Sequence, residues 1–197
     1  MIPGIDVSHF QGAVDWAKVA GSGVQFAYIK SSQGATNGDP QAVANCLSAR
    51  AACVPYGLYH VFTANAGAEQ IQNFKQRRLS LKPDLPCWLD IEPGSVTDET
   101  APQALAMLQG AFQPTDCVYC SPSTAQAYLS DPDFQRYWLA IAHYTDEPSP
   151  NTVLWPGWRF WQYSATGRVE GISTPVDMDW FNGSLEDLQA LISKPTT

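Results

Sequence analysis

Short apolar runs alternate with longer stretches of helical spacing along most of the chain. Gly4–Ser8, Gln25–Ser31, Tyr56–Phe62 and Pro86–Ile91 carry the β-branched and aromatic residues that predict strands. Cys117–Ser121, Tyr137–Ala142, Arg159–Ser164 and Val176–Asp179 continue the series. Between them, Val14–Ala20, Pro40–Ala52, Ala66–Leu79, Thr100–Phe112 and Ser123–Leu129 set apolar residues near helical spacing and predict helices. Leu185–Ile192 predicts a closing helix, with Ser184 and Asp187 in capping-box positions, Asp standing where Glu or Gln is usual.

Alternation of strand and helix points to a parallel α/β sheet, and eight strand candidates to a closed barrel. A full (β/α)₈ barrel needs about 250 residues, and this chain has 197. The shortage falls in the second half, where Asp146–Gly157 and Thr166–Pro175 are mainly turn residues. The expected barrel therefore lacks full helices beside its last strands. One domain is expected over residues 1–192, with 193–197 as a C-terminal tail.

Composition narrows the partners. A net charge of −8 argues against nucleic acid, whose phosphates need a Lys/Arg surface, and against an anionic membrane. No apolar run is long enough for a membrane helix, and Met1–Asp6 lacks the basic and apolar regions of a secretory signal. The expectation is synthesis in a cytosol without a Sec-type export label. Five cysteines (Cys46, Cys53, Cys87, Cys117, Cys120) cannot all pair within the chain, and the lone Cys117-Val-Tyr-Cys120 has no second pair to make a zinc site. Free thiols are expected. Seven Trp and eight Tyr suit a surface that stacks on sugars, although aromatics also build cores.

Parallel barrels place chemistry at the carboxyl ends of their strands. Here those ends supply Asp6, then Lys30 and Gln33, Tyr59 and His60, Asp90 and Glu92, Tyr119, Gln162, and finally Asp177 and Asp179. Trp88-Leu89-Asp90-Ile91-Glu92 is the sharpest local feature, because residues two apart on a strand share a face. Two close carboxyls resist double ionisation, leaving an acid beside an anion. Glycoside hydrolysis uses such a pair. Two solvated acids at a strand end, or a Mg²⁺ or Ca²⁺ site, are the competing readings of the same tripeptide.

Gly4-Ile5-Asp6-Val7-Ser8-His9-Phe10-Gln11-Gly12, followed by Asp15-Trp16, resembles the opening of the family 25 glycoside hydrolases, the N-acetylmuramidase lysozymes of phage endolysins and bacterial autolysins. Phe26–Lys30, Tyr56–His60, Leu89–Glu92, Val118–Ser121, Trp138–Ala142, Trp161–Tyr163 and Val176–Asp179 resemble that family's later strands in order. The resemblance implies an α/β fold, a shortened TIM-like barrel of five β/α units followed by three strands with few helices. It implies hydrolysis of the β-1,4 bond after N-acetylmuramic acid in peptidoglycan. Glu92 would be the general acid and Asp90 its assistant, orienting the substrate's acetamido group. Asp6 and Asp177 would complete an acidic floor, and Tyr59, Tyr119, Trp138 and Gln162 would line the groove. Lys30, Gln33 and His60 join them as substrate-side candidates from the same rim. No metal or organic cofactor is implied. In an endolysin setting, access to the wall would depend on a holin.

The family's K-A-T-E-G run is replaced here by Lys30-Ser31-Ser32-Gln33-Gly34, which removes one rim charge and predicts altered specificity or pH optimum. His60 reads as a hydrogen-bonded wall of the site, His9 as structural, and Asp15 as a helix cap. Trp161 reads as core, and Asp179 would share a face with Asp177 on a two-residue period. A catalytically silent sugar-binding barrel is the alternative of a different class. A chitinase-like hydrolase would want further aspartates where Leu85-Pro86-Cys87-Trp88 stands.

Overall fold

A computed structural model describes residues 1–64 and 66–192; the expected tail at 193–197 lies outside the described residues. The elements run β1 (Ile2–Val7), α1 (Trp16–Gly21), β2 (Phe26–Gln33), β3 (Asn37–Gly38), α2 (Ala42–Ala51), β4 (Tyr56–Val61) and α3 (Glu69–Leu81). β5 (Trp88–Asp90), α4 (Ala101–Ala111), β6 (Cys117–Cys120), α5 (Pro122–Tyr128), β7 (Trp138–Ala142), β8 (Phe160–Gly167), β9 (Val176–Phe181) and α6 (Leu185–Ile192) follow. Single turns of 3₁₀ helix lie at His9–Gln11 and Phe134–Arg136.

The sheet order β1-β9-β8-β7-β6-β5-β4-β2, closed by a β1–β2 pairing, is an eight-stranded barrel. The two-residue β3 pairs only with the end of β2. Five β/α units precede the last three strands, as expected for the shortened barrel. One expectation is corrected: the sheet is not wholly parallel. β9 runs antiparallel to both β8 and β1. Eight residues separate β8 from β9, whereas a parallel crossover needs roughly a dozen or more. The chain therefore turns back as a hairpin.

Period-two alternation divides each strand between two cores. Inward residues Phe26, Tyr28, Trp88, Phe160 and Phe181 fill the barrel, with Tyr28 stacked on Trp88 at 3.5 Å between ring centres. Outward residues such as Ile5, Ile29, Leu58, Leu89, Val118 and Ile141 meet the helices. α4 buries Ala101, Ala104, Met107, Leu108 and Ala111, the spacing of one helical face.

Helices α1, α5 and α6 start on side-chain caps. Asp15 accepts from Lys18 N at 3.3 Å, and Ser184 and Asp187 bond each other's backbone N–H as a capping box does. Ser121 accepts from Thr124 N at 3.1 Å, and Pro122 opens α5, where a missing N–H costs nothing. Ser121→Ala is expected to remove about 1 kcal/mol of stability. A thermal melt checks this as a fall of roughly 2–4 °C.

Candidate active site

Seven of the eight barrel strands, β1, β2 and β4 to β8, run the same way, so their carboxyl ends form one rim. The antiparallel β9 brings its amino end to that rim instead. Asp177, its second residue, pairs in register with Asp6. A cleft of about 310 Å³ opens there, lined by Asp6, Lys30, Tyr59, Asp90, Glu92, Tyr119, Gln162 and Asp177. All four acids expected for catalysis are thus at one opening.

Glu92 lies two residues beyond the end of β5, exposed to solvent. A turn fixes it: Ser95 Oγ accepts from Glu92 N at 3.1 Å and donates to Glu92 O at 2.8 Å. Asp90, the last residue of β5, is buried, and its Oδ1 has no hydrogen-bond partner among the described residues. Burial, then the nearby Glu92 charge, pushes the Asp90 carboxyl well above its usual range. Of the two strand-end acids, Asp90 is the buried one that favours its neutral form, while Glu92 meets solvent.

Gln162 is the hub of the floor. Tyr119 and Tyr144 donate their hydroxyls to Gln162 Oε1 at 3.0 and 2.6 Å, so the amide nitrogen turns towards Asp6 and donates to its Oδ2 at 2.7 Å. Burial foremost, then Asp177, raises the Asp6 carboxyl well above normal despite that donor. Burial and then nearby acids, Asp6 and Asp90 first among them, likewise raise the Tyr59 and Tyr119 hydroxyls, which stay neutral.

Asp177 is pushed up to about 6, by burial first and by Glu92 second. Its sign is unfavourable to folding: the native state holds a proton that the unfolded state releases near pH 4. This contribution to stability falls as pH rises from about 4 to about 6. Asp177→Asn abolishes that fall. The melting temperature of the variant relative to wild type is expected to climb across this window and then level off, read from melts at successive pH values.

Three substrate-side expectations need correction. His60 is fully buried on the outer face of β4, against Phe74 of α3, with Nδ1 2.9 Å from Ser32 Oγ. Its neighbour Tyr59 faces the cleft, and adjacent strand residues cannot share a face. Burial lowers the His60 imidazole to about 4, so it is neutral at pH 7. Trp138 begins β7 and so lies at the barrel's opposite, amino-terminal end, under the Arg159 guanidinium at 4.3 Å. Gln33 does not line the cleft; it accepts from Lys30 Nζ at 3.0 Å and fixes that cleft residue.

The structure adds Ser8, Phe10, Gln11, Val61, Trp88 and Tyr144 to the lining. Ser8, Val61 and Trp88 were accessible from the two-residue period, being in phase with Asp6, Tyr59 and Asp90. Tyr144 stands on an irregular segment after β7, and no sequence period marks it. Gln11 closes a capping box with Ser8 and donates to Pro175 O at 3.3 Å, tying the first rim segment to the approach of β9. His9 braces Asp39 at 2.7 Å, and Trp161 faces the outer core, as expected of both. All five cysteines are free thiols. Among the described residues, no group of three or more His, Cys, Asp or Glu is placed to hold a metal ion.

The model of glycosyl hydrolases family 25 matches residues 5–172. The chain belongs to that family. This family 25 glycoside hydrolase is 33% identical over 202 residues to Uncharacterized protein YegX of Escherichia coli K12, spanning 97% of this chain and 73% of the relative. It is 32% identical to Lysozyme M1 of Streptomyces globisporus, over 96% and 71% of the two chains. The crystal structure of a bacterial lysozyme from Streptomyces coelicolor superposes with a TM-score of 0.83 at 31% identity, covering 97% of this chain and 96% of the other. The family match stops before β9, so Asp177 is placed at the site by the barrel's closure.

Proposed function

We propose that this family 25 enzyme hydrolyses the β-1,4 bond between N-acetylmuramic acid and N-acetylglucosamine in bacterial peptidoglycan. The observation that carries the reading is the meeting of Asp6, Asp90, Glu92 and Asp177 at one cleft, with aromatic residues around them. Similarity to Lysozyme M1 and to the Streptomyces coelicolor lysozyme supports the substrate class.

In this reading Glu92 gives its proton to the leaving glycosidic oxygen. Asp90 accepts from the N–H of the substrate's acetamido group, whose carbonyl oxygen closes on the anomeric carbon. That N–H donor favours the ionised form of Asp90, so the proton the two carboxyls share stands on Glu92 when the bond breaks. The Asp90 carboxylate then faces the positive charge that develops, and Asp6 and Asp177 supply further negative potential. Glu92, now a carboxylate, takes a proton from the water that opens the ring.

Purified peptidoglycan of defined composition tests the bond. Fragments with reducing N-acetylmuramic acid ends, identified by mass spectrometry, are the expected product. Reducing N-acetylglucosamine ends would replace the bond assignment, and wall binding without release would favour a silent binding barrel. The biological setting we favour is an endolysin that reaches the wall through a holin. Expression with and without a holin reads that setting, with lysis expected only in its presence.

A further inference from the structure

Beneath the rim acids lies a carboxyl that the proposed reaction does not use. Asp179 is fully buried, and neither of its oxygens has a hydrogen-bond partner among the described residues. Its isolation follows from the register. Across β1 it faces Gly4, where the Phe26 ring occupies the space a side chain would need. Across β8 it faces Gln162, whose amide is already held by Asp6, Tyr119 and Tyr144. The titratable groups around it are Asp6 from β1, Asp177 from its own strand, Tyr119 from β6, Tyr144 beyond β7 and Tyr163 from β8. None of them is a cation.

An ionised carboxylate buried without a donor is strongly disfavoured, whereas a donor stabilises the ionised form. Asp6 has such a donor in Gln162; Asp179 has none. Asp6 and Asp179 are inward residues of neighbouring strands, one pleat apart, so their charges oppose each other. We propose that Asp6 and Asp179 hold one proton between them at neutral pH, that it resides on Asp179, and that Asp179 is thereby a positioning residue keeping Asp6 ionised and aimed through Gln162. Burial, followed by Asp6 and Asp177, raises the Asp179 carboxyl well above its ordinary range, in the same direction. The assignment rests on the muramidase reading only for its catalytic consequence.

A carboxyl-carbon NMR titration of Asp-labelled protein, run without substrate, tests it. At pH 7 wild type is expected to show a protonated buried carboxyl that disappears in Asp179→Asn and persists in Asp6→Asn. The Asp6 carbon is expected to report its own ionisation, a response to Asp177 near pH 6 and a further step above pH 7 as Asp179 ionises, because coupled groups report each other. Asp179→Asn removes the step above pH 7 and leaves the response to Asp177. A protonated carboxyl lost in Asp6→Asn but kept in Asp179→Asn would overturn the proposal. So would the absence of any Asp6 step above pH 7 in wild type, which needs no variant to fold. Because no turnover is measured, these outcomes are independent of the bond the enzyme cuts.

Discussion

Glu92→Gln is expected to lower kcat on purified peptidoglycan by about 10²–10⁴, the usual contribution of a positioned general acid. The amide keeps the shape of the side chain and its place after β5 but has no proton of carboxylic acidity to give. KM is expected to change little, because the loss falls on a proton transfer made in the transition state. Glu92 is exposed, and its backbone is held by Ser95. The fold should therefore be indifferent to the change, with the melting temperature moving by less than about 2 °C. Reducing-end release and a thermal melt on the same preparation check both halves. Full activity in the variant would take the role of acid from Glu92 and give it to another cleft carboxyl.

The acids of this site were legible because strand-end position and a two-residue period are both written in the sequence. Asp6, Asp90 and Glu92 follow from strands that end where their apolar runs end. Asp177 was assigned to a carboxyl end of a parallel strand and reaches the same rim as the amino-end residue of an antiparallel one. The short turn-rich segment before it carried that information, since its length rules out a crossover. The errors among the substrate-side candidates have the same kind of cause. His60 was paired with Tyr59 by adjacency, although adjacency is what separates them, and Trp138 was taken from a strand's start rather than its end. The hydrogen bonds that orient Gln162 join Asp6, Tyr119 and Tyr144 across 156 and 43 and 18 positions of sequence, and no local pattern records them.

Arg78→Met is expected to destabilise the fold by about 3–5 kcal/mol, because it strips the partner from a buried charge. Arg78 of α3 grips Asp116 through two nitrogens, at 2.5 and 3.3 Å, and the Asp116 side chain is only 1% exposed. That carboxylate also accepts from Cys87 N and Gln113 N, both at 2.7 Å, while Asp116 O accepts from Trp138 N at 3.0 Å. One residue thus ties the lower ends of β5, β6 and β7 to α3. Two backbone donors remain in the variant, but they cannot neutralise the charge. A melting temperature lower by on the order of 10 °C is the expected readout. Turnover per folded molecule at 25 °C is expected to stay near wild type, because this cluster lies at the strand starts and the cleft at the opposite rim. Unchanged melting would show that the two backbone donors suffice for Asp116. A selective loss of kcat with intact melting would mean that the strand starts set the geometry of Asp90 and Glu92 directly, through the three-residue length of β5.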